Sequence, residues 1–247
     1  LANIEAKEKE DTINRTRIEW VRNEDGTQGY TINPVKGLCP VDCKDNQGKS
    51  YCYARAMYKR FKWNTEIRYQ SGWIQEISTI KKPSKIFIGS TMELFGSWIN
   101  ERWWHFINAA ILSYPEHTFI FLTKQPQNLI KWSPFPDNCW VGISADTKKR
   151  MAEGYTHLCN IEAKVKYISF EPLLERMDVN NLASIQWVII GQKTPMNVKT
   201  APKMAWIQEI LVAASNAENI PVFMKNNLEP LLVGQWAGWK LRQEFPV

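Results

Sequence analysis

Downstream of residue 80 the chain switches repeatedly between two hydrophobic patterns. Short, strongly apolar and β-branched runs recur at 85–89, Thr118–Thr123, Cys139–Ser144, Val165–Phe170, 187–191 and 221–224. Each reads as a strand buried on both faces, because none alternates polar with apolar positions. Between several of them lies helical spacing. Glu101–Ser113 puts Trp104, Ile107, Ala110 and Ile111 near one face, and 203–217 does the same with Trp206, Ile210, Leu211 and Ala214. Strands separated by helices pair in parallel through right-handed crossovers. The pattern therefore predicts an α/β fold built as a partial or complete parallel β/α barrel of the TIM-like kind.

Polar residues gather where the runs end: Ser90, Thr91 and Glu93; Thr123 and Lys124; Ser144 and Asp146; Ser169 and Glu171; Gln192 and Lys193; Lys225, Asn226 and Asn227. Strands in any fold give way to polar loops. Parallel α/β folds, however, bind their ligands at this end of the sheet, and recurrence at six strands predicts a site along that rim.

No repeat and no low-complexity segment interrupts the chain, so solenoids and propellers drop out. Its 247 residues suit one β/α barrel domain over 1–247, with 1–17 a polar N-terminal extension and 33–55 a cysteine-bearing loop. No apolar run approaches the roughly 20 residues of a membrane span, and 1–17 lacks the apolar stretch of a secretory signal. A cytoplasmic protein without a membrane partner is expected. The formal charge of +6 is mild; it permits a polyanionic partner without demanding one. Twelve Trp residues could fill a core or stack on bases.

Cysteine usage changes the picture most. Five Cys without an export signal argue against a disulfide framework, and three of them, Cys39, Cys43 and Cys52, fall within 14 residues. Thiolates suit zinc or an iron–sulfur cluster. A structural zinc needs a fourth ligand, and the three His, at 105, 117 and 157, are isolated. A cluster with one open iron needs no fourth side chain. Cys139 and Cys159 read as small buried hydrophobes, and Lys59 and Arg60, on a helix expected after Cys52, as a solvated face.

Cys39-x3-Cys43 followed by Cys52-Tyr53-Ala54-Arg55, with Asn33-Pro34 and Gly37 leading in, resembles the C-x3-C-x2-C loop of radical-S-adenosylmethionine (SAM) enzymes, nearest to the spore photoproduct lyase branch. Eight residues separate Cys43 from Cys52 where two are usual. The extra six, containing Asn46, Gln47 and Gly48, either loop out without displacing the ligands or mark another metal, or none. Ile18-Glu19-Trp20, 122–126, 170–174, 187–191 and 221–225 extend a likeness, over most of the chain, to a phage-associated and prokaryotic family of unknown function.

The radical-SAM resemblance implies a [4Fe-4S] cluster on Cys39, Cys43 and Cys52. The open iron would take the amino and carboxylate groups of SAM, which reductive cleavage converts to a 5′-deoxyadenosyl radical. By the same resemblance Ser90, Thr91 and Glu93 would hold the SAM amino group and Lys124 its carboxylate. Ser144 matches a serine of the family's fourth strand, and Glu171 and Gln192 sit where ribose or substrate contacts form. A one-electron donor such as flavodoxin or ferredoxin is implied, with nucleic acid a possible substrate. The photoproduct-lyase hydrogen donor is missing, since 86–94 contains no Cys, so lesion reversal by that route is not supported. The rivals are a non-catalytic nucleic-acid-binding protein stabilised by an Fe-S cluster or zinc, motivated by the charge and by Trp63, Trp73, Trp98, Trp103, Trp104 and Trp132, and a zinc-stabilised fold in an unrelated enzyme.

Overall fold

The structure, a computed structural model, describes residues 13–179, 181–197, 200–232 and 240–246. Residues 1–12 of the polar extension lie outside that set. Seven strands form one curled, wholly parallel sheet: β1 (Tyr30–Ile32), β4 (Lys85–Ile88), β5 (Thr118–Thr123), β6 (Cys139–Ser144), β7 (Val165–Phe170), β8 (Trp187–Ile190) and β9 (Val222–Met224), neighbours in that order. The first and last strands do not pair, so the sheet is a half-barrel. Strands β2 (Val35–Lys36) and β3 (Arg68–Tyr69) make a separate antiparallel ribbon. The helices are α1 (Tyr53–Phe61), α2 (Trp73–Ser78), α3 (Glu101–Ser113), α4 (Lys148–Cys159), α5 (Met204–Asn216) and the short α6 (Glu229–Leu232). Among the described residues no helix is long and apolar enough to cross a membrane.

The continuous apolar runs became strands because both sheet faces are covered. On one face the buried stripes of α3 (Trp104, Ile107, Ala110, Ile111) and α5 (Ile207, Ile210, Leu211, Ala214) pack into the main core. Asn100 caps α3, its side chain accepting from the Arg102 N–H at 2.9 Å. The α5 stripe differs from expectation by one position: Ile207 takes the buried place and Trp206 is half-buried at its border. Residues 207, 210, 211 and 214 follow the i, i+3, i+4, i+7 rule, which Trp206 does not.

The opposite, concave face carries its own aromatic core. Phe87, Trp140, Tyr167, Trp187 and Phe223 project there with Ile120, Val165 and Ile189, and Trp20 and Val21 from the N-terminal segment fill the space a closed barrel would enclose. Trp20 meets Phe87 edge-on at 4.9 Å. The sheet's edges are also covered. Arg15 bridges to Tyr30 on β1, and Gln243 to Phe223 on β9, while the Trp187 indole donates to the Glu244 carbonyl at 2.8 Å. This plug closes the lower part of the half-barrel and leaves its upper, C-terminal rim for chemistry.

Candidate functional site

Side chains alternate across a strand, so the concave face changes character as it climbs. Trp140 and Gly142 on β6 lead to Ser144, and Val165 and Tyr167 on β7 lead to Ser169, which is directly opposite Ser144. One step further stand Lys124, Glu171 and Lys225. Lys124 Nζ donates to Ser144 Oγ and lies 3.7 Å from Asp146 Oδ2, and Lys225 Nζ pairs with the Glu171 carboxylate. A polar layer thus rests on the aromatic plug.

The cysteine loop roofs this layer. It leaves β1 through Asn33, whose Oδ1 accepts from the Thr91 N–H and the Thr91 hydroxyl, both at 3.0 Å, while its amide donates to Ser90 Oγ at 3.3 Å. Gly37 follows at φ +132°, and a Cβ there would lie 2.5 Å from the Glu66 carbonyl oxygen, so only glycine passes. Its N–H donates to the Tyr58 hydroxyl at 2.8 Å, tying loop to helix.

The insertion between Cys43 and Cys52 folds into a closed hairpin. Lys44 pairs with Ser50, the Gly48 N–H donates to the Asp45 carbonyl at 2.9 Å, and Asp45 Oδ1 accepts from the N–H groups of Gln47 and Lys49. The Tyr51 N–H then donates to the Cys43 carbonyl at 3.0 Å. Cys43 and Cys52 are thereby returned to each other, thiol to thiol. The hairpin tip is fastened across the rim: Lys193, after β8, pairs with Asp45, and Asn46 donates to the Leu174 carbonyl after β7.

Each thiol has a distinct environment. Cys52 caps α1, with its Sγ 3.5 Å from the Arg55 N–H; the Cys43 hydrogen bond, aided by these helix N–H groups, lowers its pKa to about 6. Cys43, donating to Cys52 and buried, is held well above the usual thiol range. Burial raises Cys39 too, although the Glu93 and Val41 N–H groups point at it. Cys39 is close enough for a Cys52 charge to act on it. Arg55 is no solvated cation: its guanidinium donates to the Cys39 carbonyl at 2.9 Å and holds the loop from beneath. Cys139 is fully buried and Cys159 half-buried, on elements away from this loop.

The residues expected to bind SAM all reach the rim, in different states of engagement. Glu93 is buried, and its carboxylate accepts from the Phe95 N–H (3.0 Å), the Thr123 hydroxyl (2.7 Å) and the Lys124 N–H (2.7 Å). It clamps the ends of β4 and β5 together, and burial raises its pKa despite those donors. Gln192 is similarly occupied, exchanging hydrogen bonds with Asn227. Lys124, Ser144 and Glu171 face the layer itself. Sequence reasoning did not single out Tyr51 or Arg150, which both donate to Asp146 Oδ2. The position of Tyr51, next to Cys52, and the i, i+4 spacing of Asp146 and Arg150 were the available signals.

Three buried polar atoms along this rim have no hydrogen-bond partner: Ser169 Oγ, Asp146 Oδ1 and Arg55 Nε. Such orphans call for a ligand or water. Among the described residues, no three His, Cys, Asp or Glu side chains converge as the ligands of a single metal ion would. A cavity of about 850 Å³ lies elsewhere, between α5 and residues 176–179 and 181–186, and shares no residue with the rim.

Fold and site define a parallel α/β half-barrel with a three-cysteine loop over the C-terminal ends of its strands. The chain belongs to the family described as Protein of unknown function (DUF5131), which matches residues 15–242. Comparison with curated proteins and with solved structures gave no match.

Proposed function

We propose that the protein is a radical-SAM enzyme with a partial barrel of the radical-SAM type, binding a [4Fe-4S] cluster through Cys39, Cys43 and Cys52 and acting on a substrate still to be assigned. The observation that carries this reading is the hairpin: residues 44–50 close on themselves and return Cys52 to Cys43, so the three thiols share one loop above a polar layer. The donor set fits a cluster. Its chemistry is all thiolate, the donor type that iron–sulfur clusters take.

When bound and reduced, such a cluster supplies the electron that cleaves the SAM sulfonium. The protein's own residues would do the rest. Lys124, with Ser144 beside it, offers a cation for a carboxylate; Ser90 and Thr91, held by Asn33, offer hydroxyls; Ser169 Oγ and Asp146 Oδ1 keep unused hydrogen-bonding capacity. Glu93 acts by positioning, since its oxygens already accept from the backbone and from Thr123. The Trp20-centred plug beneath excludes water from below. A flavodoxin- or ferredoxin-type donor would supply the electron.

Anaerobic reconstitution tests the reading. About four iron and four sulfide per chain are expected, with 5′-deoxyadenosine formed from SAM under dithionite. Cys52→Ala should lose the cluster; unchanged iron content in that variant, or a colourless zinc protein as purified, would sink the proposal. The nucleic-acid-binding alternative loses most of its aromatic support. Trp73 and Trp104 are buried, Trp98, Trp103 and Trp132 pack against the core, and of those six rings only Trp63 is exposed.

A further inference from the structure

The C-terminal end of α1 carries a surface that neither the core nor the cysteine loop uses. Phe61 is 51% and Trp63 43% exposed, and the two rings stack on each other at 5.4 Å and 21°. Large aromatic rings left together in water signal a binding surface more than an isolated exposed leucine does. Cations surround them. Lys59, Arg60 and Lys62 are exposed, none makes an ion pair among the described residues, and Arg60 lies over the Phe61 ring at 5.2 Å. Lys62 ends the helix in the left-handed region at φ 52°, which turns Trp63 back so that its ring meets Tyr58 edge-on.

Helical geometry links this surface to the site. Residues seven apart share a face, so Arg60 lies in line with Tyr53, which is 54% exposed and whose hydroxyl donates to the Ser90 carbonyl on the rim. Their separation along the axis is about 10 Å, the length of roughly three stacked nucleotides.

We infer that the Lys59–Trp63 end of α1 is a docking platform for single-stranded nucleic acid, on which bases stack against Phe61 and Trp63 and Lys59, Arg60 and Lys62 neutralise phosphates. An acidic protein would answer the cations equally well, but it has no use for a pair of exposed stacked rings, whereas every base offers a planar face. The inference stands apart from the cluster chemistry. If that chemistry is also correct, the platform makes nucleic acid the substrate class.

Fluorescence anisotropy with a labelled oligonucleotide of about 15 nucleotides tests it on the full chain, with and without reconstituted cluster, so that failure of the platform is separable from failure of the cluster. Binding should weaken with salt, with a log–log slope near −2 if three cations each meet a phosphate. Phe61→Ala should weaken it roughly 5- to 150-fold, and Lys59→Glu with Lys62→Glu should weaken it and flatten the slope. Because Trp63 touches buried Tyr58, Trp63→Tyr serves as the milder variant and should retain most binding where Trp63→Ala does not. Affinity unchanged by Phe61→Ala, or poly-glutamate competing as well as the oligonucleotide, overturns the proposal; the latter result assigns the surface to an acidic protein.

Discussion

Gly142→Ala tests whether the aromatic plug is packed as rigidly as the geometry requires. A Cβ at Gly142 would stand 2.3, 2.4 and 2.5 Å from Cζ, Cε1 and Cε2 of Tyr167, its register partner on β7. The ring has no retreat. It is fully buried, its hydroxyl donates to the Phe121 carbonyl at 2.9 Å, and Trp187 and Trp20 flank it at 5.4 and 6.4 Å. Overpacking of this kind costs about 1–3 kcal/mol, and loss of the Tyr167 hydrogen bond adds about 1 kcal/mol. Against this, replacing glycine stiffens the unfolded chain, worth about 0.4–1 kcal/mol in the variant's favour. The net expectation is a loss of about 1–3 kcal/mol, or roughly 3–10 °C in Tm for a chain of this size. Urea denaturation followed by tryptophan fluorescence measures it, and Tyr167→Leu supplies the control. With the ring removed, Gly142→Ala should cost at least about 1 kcal/mol less than in the native background. A Gly142→Ala variant as stable as the native protein, or the same cost with and without the ring, refutes the packing argument.

Other expectations follow from single interactions. His117 is buried with neither ring nitrogen hydrogen-bonded, and burial lowers its pKa from 6.5 although half-exposed Glu116, 3.9 Å away, opposes the shift. The neutral ring is therefore favoured in the fold, so the stability it contributes is present above pH 6.5 and lost as pH falls through the lowered value; His117→Phe should flatten the decline in Tm over that acidic range. Glu93→Gln replaces an acceptor of three donors by a group carrying its own N–H, and a loss of about 1–3 kcal/mol in urea is expected; no loss would show that those hydrogen bonds do not hold the ends of β4 and β5. Lys193→Ala releases the hairpin tip from the rim, so trypsin should nick at Lys44 and Lys49 faster than in the native protein; an unchanged cleavage rate would mean that the pair does not restrain the hairpin.

What the sequence disclosed depended on how each element is stabilised. β5, β6 and β7 begin and end where the apolar runs do, because a parallel strand covered on both faces has no polar alternation to blur its limits. β1 is three residues long and only Ile32 is buried, too little for a hydrophobic pattern. α4 escaped notice for a related reason. It buries only Met151, Gly154 and Leu158, and Gly154 lets the helix approach so closely that a Cβ would lie 2.6 Å from the Ile143 methyl. Its contact depends on a missing side chain, which periodicity cannot register. Residue types at the rim were readable because they cluster after strands, but pairings such as Lys225 with Glu171, 54 positions away, and Thr123 with Glu93, 30 positions away, exist only once strands are neighbours.

The gap between Cys43 and Cys52 shows how local folding can absorb a departure in spacing. Spacing alone left open whether the extra residues loop out without displacing the ligands or mark another metal, or none. The chain crosses itself between Tyr51 and Cys43, so the extra residues leave the loop and re-enter it at nearly the same place. What they add is reach. The loop is rooted at β1, on one edge of the sheet, yet Asp45 meets Lys193 after β8 and Asn46 meets Leu174 after β7, near the other edge. In a half-barrel whose first and last strands do not pair, such a hairpin links the two sides of the open mouth and sets the roof above Lys124, Ser144 and Ser169. The residues that made the cysteine spacing irregular are the ones that connect the cysteines to the rest of the site.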